Sequence, residues 1–200
     1  MGRTLLFAGC GYLSGSLLFA RYFGWLFGKE ILPEKESDQN PGTFNAFQYG
    51  GFLCGVLTLC CDLLKGFLPV FLYLYGSPLS SGISLVMAAP VLGHIFPVFH
   101  RFRGGKGIAV TFGCLLGLLP EVRPLLLLAG TFLFFSLIVK ITPNYHRTII
   151  TYLVCTAGMI PLALFPPITI GFALIAAIVL GKLLSCPEKK AACKVDAIWK

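Results

Sequence analysis

The chain has 200 residues, of which 56% are hydrophobic and only 12% are charged, and its net charge at pH 7 is +8. Soluble domains carry about 25% charged residues, and a domain of this length cannot bury so much apolar surface, so the composition excludes an ordinary soluble protein. Most of the positive charges lie in or beside short loops and in the C-terminal segment. This placement favours anionic lipid headgroups and phosphorylated substrates as partners, and argues against nucleic acid.

Cysteine and histidine give no support for metal or nucleophilic chemistry. The eight cysteines lie mostly inside apolar runs and form no CxxC pair, and in such runs cysteine behaves as a small hydrophobe. Neither the spacing nor the neighbours of the three histidines indicate a metal site, and no G-x-S-x-G nucleophile elbow occurs. We therefore expect no metal and no cofactor.

Apolar segments of membrane-crossing length follow one another along the chain, which predicts an all-α, polytopic integral membrane protein. Seven segments are predicted to span, roughly 4–27, 50–75, 79–99, 107–120, 123–140, 148–164 and 167–184. Prolines at and between the last two segments leave open a single re-entrant hairpin there. The spans make one transmembrane domain, 1–184, and residues 185–200 form a basic cytoplasmic tail.

Lysine and arginine are distributed unevenly between the two faces that seven spans create. One face carries only Arg3 and Arg123. The other carries thirteen: Arg21, Lys29, Lys35, Arg101, Arg103, Lys106, Lys140, Arg147, Lys182, Lys189, Lys190, Lys194 and Lys200. Because these residues accumulate on the cytoplasmic side of membranes, the N-terminus is predicted outside and the C-terminus in the cytoplasm.

Three GxxxG spacings occur in the apolar segments, at Gly11–Gly15, Gly51–Gly55 and Gly113–Gly117. Small residues four apart allow helix backbones to approach closely, so each spacing is a candidate helix contact. Chance is the alternative in a chain with 23 glycines. No internal repeat is evident, which counts against an inverted-repeat transporter.

Two polar, glycine-containing loops precede predicted spans, at residues 40–47 and 102–107. In the seven-span topology both adjoining helices run outward from the cytoplasm, so their N-termini lie on one face. Helix N-termini and glycine-rich turns present N–H groups that attract anions. The loops therefore suit two phosphate-bearing substrates. The alternative is a pair of ordinary tight turns with topogenic charges.

Asp62 and Lys65 lie three residues apart inside the second predicted span, and so share a helix face. An unpaired charge near the bilayer centre costs about 2.5–3.5 kcal/mol, so mutual pairing is the economical explanation. The pair then either locks helices together or takes part in function.

Three motifs occur in order between about Gly11 and Thr111. They are NPGTFN at 40–45, DLLKG at 62–66, and GHIFPVF at 93–99 followed by FRGGKGIA at 102–109. These resemble the SGNxGATN, DxxKG and GHxxPvfxxFkGGKGvAt motifs of the bacterial acyl-phosphate:glycerol-3-phosphate acyltransferase family, PlsY. The last motif is long and specific.

The resemblance implies a seven-helix enzyme of the bacterial inner membrane with cytoplasmic substrate loops. It would transfer a fatty acyl group from acyl-phosphate to the 1-hydroxyl of glycerol 3-phosphate, giving lysophosphatidic acid and inorganic phosphate. Neither metal nor nucleotide is implied. Because acyl-phosphate is already activated, the protein needs only to hold two anions, orient the hydroxyl and neutralise developing charge.

The predicted site follows from these demands. Lys106, Asn45 and Thr43 are the predicted catalytic residues, through charge and side-chain hydrogen bonds. Backbone N–H groups at Gly42, Thr43, Gly104, Gly105 and Gly107 are expected to bind phosphate. The predicted substrate-binding residues are Asn40, Gly42, Gln48, His94, Arg103, Gly104, Gly105, Gly107 and Arg147.

The chain departs from the family pattern at the acceptor side. Gln48 stands where an arginine is common, and the tail lacks the family's HRENI-like segment. Either Arg147 or Lys35 replaces the missing cation, or the acceptor differs, or the activity is weak. Two other functions stay open: an inactive lipid-binding relative, and a small membrane transporter or channel with Asp62 and Lys65 lining a path.

Overall fold

The computed structural model of the protein describes residues 1–31, 41–76, 79–162, 164–185 and 192–197. These residues form nine α-helices and one small sheet. The helices are α1 (Gly2–Gly15), α2 (Phe19–Leu26), α3 (Thr43–Gly50), α4 (Phe52–Leu74), α5 (Ile83–Ile95), α6 (Ile108–Leu116), α7 (Arg123–Leu133), α8 (Asn144–Gly158) and α9 (Pro166–Leu184).

Each of the seven predicted spans contains a helix. Among the described residues, three helical stretches are long and apolar enough to cross a membrane: Phe52–Leu74, Ile83–His100 and Pro166–Leu184. Arg123–Ile138 is apolar but shorter. The helical class is therefore confirmed, whereas the count of seven crossings stays a prediction.

The first predicted span, 4–27, is wrong as a continuous helix. The N–H of Ser16 donates to the Tyr12 carbonyl at 3.0 Å and ends α1, and the Leu18 backbone has left the helical region (φ −95°, ψ 85°). The chain restarts as the eight-residue α2. Hydropathy misses this break because apolar residues continue through it.

The first polar loop was predicted to lead directly into the second span, and this prediction is wrong. It leads into α3, which turns back at Gly51 (φ +85°) into α4. Helices α3 and α4 lie antiparallel, since Thr43 contacts Asp62 while a Cβ on Gly55 would meet the Phe47 ring at 2.2 Å. Glycine is required at 51 because its positive φ strains any other residue.

Helix backbones touch directly in the part of the bundle formed by α1, α4, α5 and α6. A Cβ on Gly15 would lie 2.1 Å from the Pro90 carbonyl oxygen, and a Cβ on Gly113 would lie 2.1 Å from that of Leu63. Two predicted GxxxG contacts are thereby confirmed, α1 on α5 and α6 on α4. The Gly51–Gly55 spacing is instead a turn and a contact with an aromatic side chain.

Large side chains fill the remaining core. Tyr152 of α8 stacks on Phe172 of α9 with ring centroids 6.0 Å apart, and both are fully buried. The Tyr152 hydroxyl donates to Thr111 at 3.0 Å, which ties α8 to α6. Helices α8 and α9 are separate elements. Their two crossings of the membrane stay a prediction, with the re-entrant hairpin as the alternative.

The C-terminal segment pairs with the chain that follows α7. Residues Phe134–Ile138 widen into a π-helix, after which β1 (Val139–Thr142) pairs antiparallel with β2 (Lys194–Ala197). The last two residues of the predicted span 123–140 are thus strand rather than helix. The sheet places β2 at the same end of the bundle as the start of α8.

Candidate active site

The first loop ends at the N-terminus of α3. Gly42 is the extended residue before the helix, and its carbonyl accepts the Ala46 N–H at 3.1 Å. The Thr43 hydroxyl points back into the bundle and donates to Asp62 Oδ2 at 3.2 Å. Asn45 is buried, with 3% of its surface exposed. The predicted residue Asn40 lies outside the described residues.

The second loop begins with a tight reversal after α5. Arg101 and Phe102 both adopt left-handed backbone conformations, with φ of 52° and 58°. Such angles are strained for residues with side chains. Two hydrogen bonds hold the reversal, from the Phe102 N–H to the Pro97 carbonyl and from the Arg103 N–H to the His100 carbonyl, each 3.0 Å. The Arg103 side chain is exposed.

The glycines of this loop run back along the end of α5. The Gly104 N–H donates to the Ile95 carbonyl at 3.2 Å, and the Gly105 N–H donates to the His94 carbonyl at 3.1 Å. The prediction that these two N–H groups bind phosphate is therefore wrong, because α5 already occupies them. A Cβ on Gly104 would lie 1.9 Å from the His94 carbonyl oxygen, so only glycine fits. Gly107 supplies the left-handed turn (φ +79°) that starts α6.

A buried acid–base pair joins the two loops. Lys65 Nζ lies 2.8 Å from Asp62 Oδ1 and 2.8 Å from His94 Nδ1, and it donates to the Leu17 carbonyl at 2.7 Å. The predicted pairing of Asp62 with Lys65 is confirmed. The pair also contacts Thr43 of the first loop and His94 at the base of the second, so the predicted loops lie at one end of the bundle.

Positive charge and helix N-termini gather at this end. Lys106 is half-buried, and α6 begins two residues later with a first turn whose N–H groups have no partner inside the helix. A lysine ammonium beside a helix N-terminus attracts a phosphate or a developing oxyanion. The arrangement therefore suits an anionic substrate at the Lys106–Gly107 corner.

The remaining predicted residues occupy different environments. Gln48 is exposed on α3 and donates to the neighbouring Tyr49 hydroxyl at 3.0 Å. Arg147, in the first turn of α8, is half-buried and donates from Nη2 to Asn144 Oδ1. His94 is 3% exposed and contacts Lys65 through its ring. Substrate contact by these three residues stays a prediction.

A largely apolar pocket that the sequence did not predict lies beside the pair. Its volume is about 490 Å³, within the range of small-molecule sites. It is lined by Leu17, Leu18, Phe19, Arg21, Tyr22, Trp25 and His100. Two of its walls contact Lys65, because the Leu17 carbonyl accepts its proton and the Phe19 ring centroid lies 5.6 Å from Nζ. The aromatic and basic residues of α2 were the feature of the sequence from which this pocket could have been predicted.

Among the described residues, no group of three or more histidine, cysteine or acidic side chains could hold a metal ion.

A sequence profile described as glycerol-3-phosphate acyltransferase matches residues 5–186. Curated relatives carry the same description. One from Cupriavidus taiwanensis is 43% identical over 123 residues, which cover 58% of this chain and 59% of the relative. One from Glaesserella parasuis is 42% identical over 64% of this chain and 61% of the relative. These two matches span less than two thirds of the relatives' lengths. A relative from Ralstonia nicotianae is 36% identical over 80% of each chain.

Two solved structures share the fold. Both are described as PlsY, an integral membrane glycerol 3-phosphate acyltransferase. The lysophosphatidic acid form has a TM-score of 0.74 and 25% identity, and the glycerol 3-phosphate form 0.73 and 26%; each covers 90% of this chain and 87% of the solved one. The chain therefore belongs to the glycerol-3-phosphate acyltransferase family and is, like PlsY, an α-helical integral membrane protein.

Proposed function

We propose that the protein transfers a fatty acyl group from acyl-phosphate to the 1-hydroxyl of glycerol 3-phosphate. The products are lysophosphatidic acid and inorganic phosphate, so the reaction is a step in phospholipid synthesis. Family membership and the glycerol 3-phosphate and lysophosphatidic acid forms of its structural relative support this reaction.

One observation carries the proposal. The two motif loops, which are far apart in sequence, meet at one end of the bundle through the buried pair Asp62–Lys65, and an apolar pocket opens beside it. Acyl transfer between an amphiphile and a polar phosphate needs this combination: polar loops for two anions, and an apolar cavity for a chain.

The chemistry needs no protein nucleophile. The acceptor hydroxyl oxygen attacks the acyl carbonyl carbon, the bond from that carbon to the phosphate oxygen breaks, and the departing phosphate takes the hydroxyl proton. In this scheme Lys106 and the first turn of α6 stabilise the charge that develops at the acyl-phosphate. Preorganised donors of this kind typically contribute about 2.7–4 kcal/mol each. Asn45 and Thr43 orient the acceptor.

The pocket beside α2 suits the acyl chain. Its walls are mainly aliphatic and aromatic, and Arg21 and His100 are its polar members. Helix α2 carries exposed Tyr22 and Trp25, residues that favour the membrane–water interface. A chain entering from the lipid would therefore place its phosphate end near the loops.

We propose a location in the bacterial inner membrane, with the N-terminus outside and the C-terminus in the cytoplasm. The thirteen-to-two distribution of lysine and arginine supports this orientation. In a cysteine-free background, a single cysteine at Val122 should react with an impermeant thiol reagent in intact cells, and one at Ser185 should not. Equal labelling of both would contradict the orientation.

The reaction is tested by phosphate release from the purified protein in lipid vesicles. Acyl-phosphate is offered with glycerol 3-phosphate, with other polyol phosphates, or alone. We expect release that depends on glycerol 3-phosphate. Faster phosphate release with another polyol phosphate would identify that compound as the acceptor. If no acceptor supported phosphate release, the proposed activity would be wrong.

A further inference from the structure

Asp62 and Lys65 have no part in the proposed chemistry, yet they occupy the most protected polar position of the site. Their side chains are 2% and 3% exposed, inside the apolar helix α4. Two charges so placed cost free energy unless all their hydrogen bonds are made. Their partners therefore indicate what the pair does.

The Lys65 ammonium contacts three elements of the site. It has three protons, and three acceptors surround it: Asp62 Oδ1, His94 Nδ1 and the Leu17 carbonyl, at 2.8, 2.8 and 2.7 Å. Because an ammonium only donates, His94 Nδ1 accepts, which leaves the ring proton on Nε2. Lys65 thus joins α4 to the chain after α1 and to the end of α5.

The Asp62 carboxylate is divided between two partners. One oxygen binds Lys65, and the other accepts the hydroxyl proton of Thr43, the first residue of α3. That hydroxyl is the hydrogen bond by which the start of the first helix after the loop contacts the buried pair in α4. Asp62 thereby holds the start of α3 against the membrane helices.

His94 extends the connection into the second loop. Its ring binds Lys65, while its carbonyl accepts the Gly105 N–H at 3.1 Å and lies against Gly104. A shift of His94 must therefore move the loop that carries Lys106. A pair that stabilised α4 alone would be satisfied by its own i,i+3 contact, and a pair that only locked membrane helices together would not contact both loops. The contacts with Thr43 and His94, which lie outside α4, therefore indicate a role in the loops.

We propose that Asp62 and Lys65 are positioning residues that fix the first loop and the Gly104–Gly107 loop relative to each other. Asp62 acts through Thr43, and Lys65 acts through His94. The catalytic consequence rests on the proposed function, whereas the structural consequence does not depend on it.

The test uses Asp62→Asn, Lys65→Met and the double variant in lipid vesicles. Each single variant leaves a buried partner unmatched, so both should unfold at lower temperature, and the double variant should recover part of that loss. Its kcat should nevertheless stay about a hundredfold below wild type, since small displacements of reacting groups cost about that factor. A stable double variant with wild-type kcat would overturn the proposal.

A second readout needs no substrate. Hydrogen exchange, followed by mass spectrometry, should accelerate about tenfold or more in peptides 43–50 and 101–108 of the double variant, because both loops would lose their connection to α4. Exchange in α9 should stay unchanged. Unchanged exchange in both loops would overturn the proposal. Accelerated exchange in a protein whose wild type lacks acyl transfer would reject the proposed function and uphold the positioning role.

Thr43→Val keeps the test decisive if the charge variants do not fold. It removes one hydroxyl and leaves the Asp62–Lys65 contact in place. We expect faster exchange in peptide 43–50, a readout that loss of a direct contact between Thr43 and the acceptor would not change. The matched control is Thr156→Val, since Thr156 also donates one hydroxyl bond, to the Tyr152 carbonyl within α8. Exchange in peptide 43–50 that is as slow in Thr43→Val as in Thr156→Val would refute the role of Asp62.

Discussion

Helix backbones touch in one region of the bundle, and side chains keep them apart in another. Around α1, α4, α5 and α6, a Cβ on Gly66 would lie 2.4 Å from the Val110 carbonyl oxygen, and one on Gly93 would lie 2.1 Å from that of Tyr12. Between α7 and α8, a Cβ on Gly158 would meet only side-chain atoms of Leu127, the nearest at 3.2 Å, and Gly130 of α7 is exposed with no atom within 4 Å of such a Cβ. Both site loops attach to the first region. Direct contact between helix backbones holds the attached loops more rigidly than contact through flexible side chains would.

The DLLKG motif shows how closely support and site are combined. Asp62 contacts the first loop, Lys65 contacts His94, and Gly66 allows α6 to approach α4. One helical turn thus contacts three elements that carry the candidate site. The α7–α8 corner contributes to the predicted site only through Arg147.

The largest effect should come from Gly104→Ala. The added methyl group would meet the His94 carbonyl oxygen at 1.9 Å and force the loop away from α5. We expect kcat for acyl transfer to fall about a hundredfold while the protein still inserts and folds. Gly130→Ala is the matched control, and wild-type kcat is expected for it. Similar kcat values in both variants would show that the loop geometry is irrelevant to turnover.

Arg147→Ala asks whether the α7–α8 corner contributes to substrate binding. Gln48 is exposed and turned to Tyr49, and Lys35 lies outside the described residues, so Arg147 is the predicted replacement cation that the structure describes. Loss of a charged hydrogen bond should raise KM for glycerol 3-phosphate about tenfold and leave KM for acyl-phosphate nearly unchanged. Steady-state kinetics with each substrate varied in turn measure both. An unchanged KM for glycerol 3-phosphate would show that Arg147 does not bind the acceptor, and would leave its binding to the region formed by α1, α4, α5 and α6.

Stability should separate the two regions as activity does. Gly113→Ala places a methyl group 2.1 Å from the Leu63 carbonyl oxygen, and overpacking of this kind costs about 1–3 kcal/mol. Gly130→Ala meets open space and improves helix propensity. Thermal unfolding in detergent should therefore show a lower Tm for the first variant only. Equal Tm values would mean that the backbone contact is not rigid.

The smallest effect should follow Glu121→Gln. Arg123 lowers the pKa of Glu121 through a side-chain hydrogen bond, but the pair lies at the surface where α7 begins, with the Arg123 side chain 51% and the Glu121 side chain 27% exposed. A carboxyl group whose pKa is lower in the folded than in the unfolded state stabilises the fold at pH values above its unfolded-state pKa. That stabilisation is lost as the pH falls through the folded-state pKa. Because exposed pairs contribute little, we expect no measurable change in Tm at neutral pH or under acidic conditions. A large, pH-dependent decrease would place this pair beside the buried one in importance.

Local patterns in the sequence predicted the elements and the pairings inside them. The i,i+3 spacing of Asp62 and Lys65 predicted their contact, which the structure places at 2.8 Å. Two GxxxG spacings predicted helix contacts for the same reason: a helix fixes which residues share a face. The break at Ser16–Leu18 escaped prediction because apolar residues continue through it.

Contacts between distant segments could not be predicted in this way. Thr43 and His94 lie 19 and 29 residues from their partners in α4, so no periodic pattern relates them. The family resemblance named the loops but not the hydrogen bonds that occupy the Gly104 and Gly105 N–H groups. Pairing of β1 with β2 likewise depends on where α7 and α9 end, which the packing decides.

The most direct measurement is the stoichiometry of products made by the purified wild-type protein from acyl-phosphate and glycerol 3-phosphate. Mass spectrometry quantifies lysophosphatidic acid, and a phosphate assay follows the leaving group in the same sample. Loops that hold both substrates together predict one lysophosphatidic acid for each phosphate released. Phosphate released without lysophosphatidic acid would reveal hydrolysis at an incomplete site, and would contradict the account of two loops that act as one.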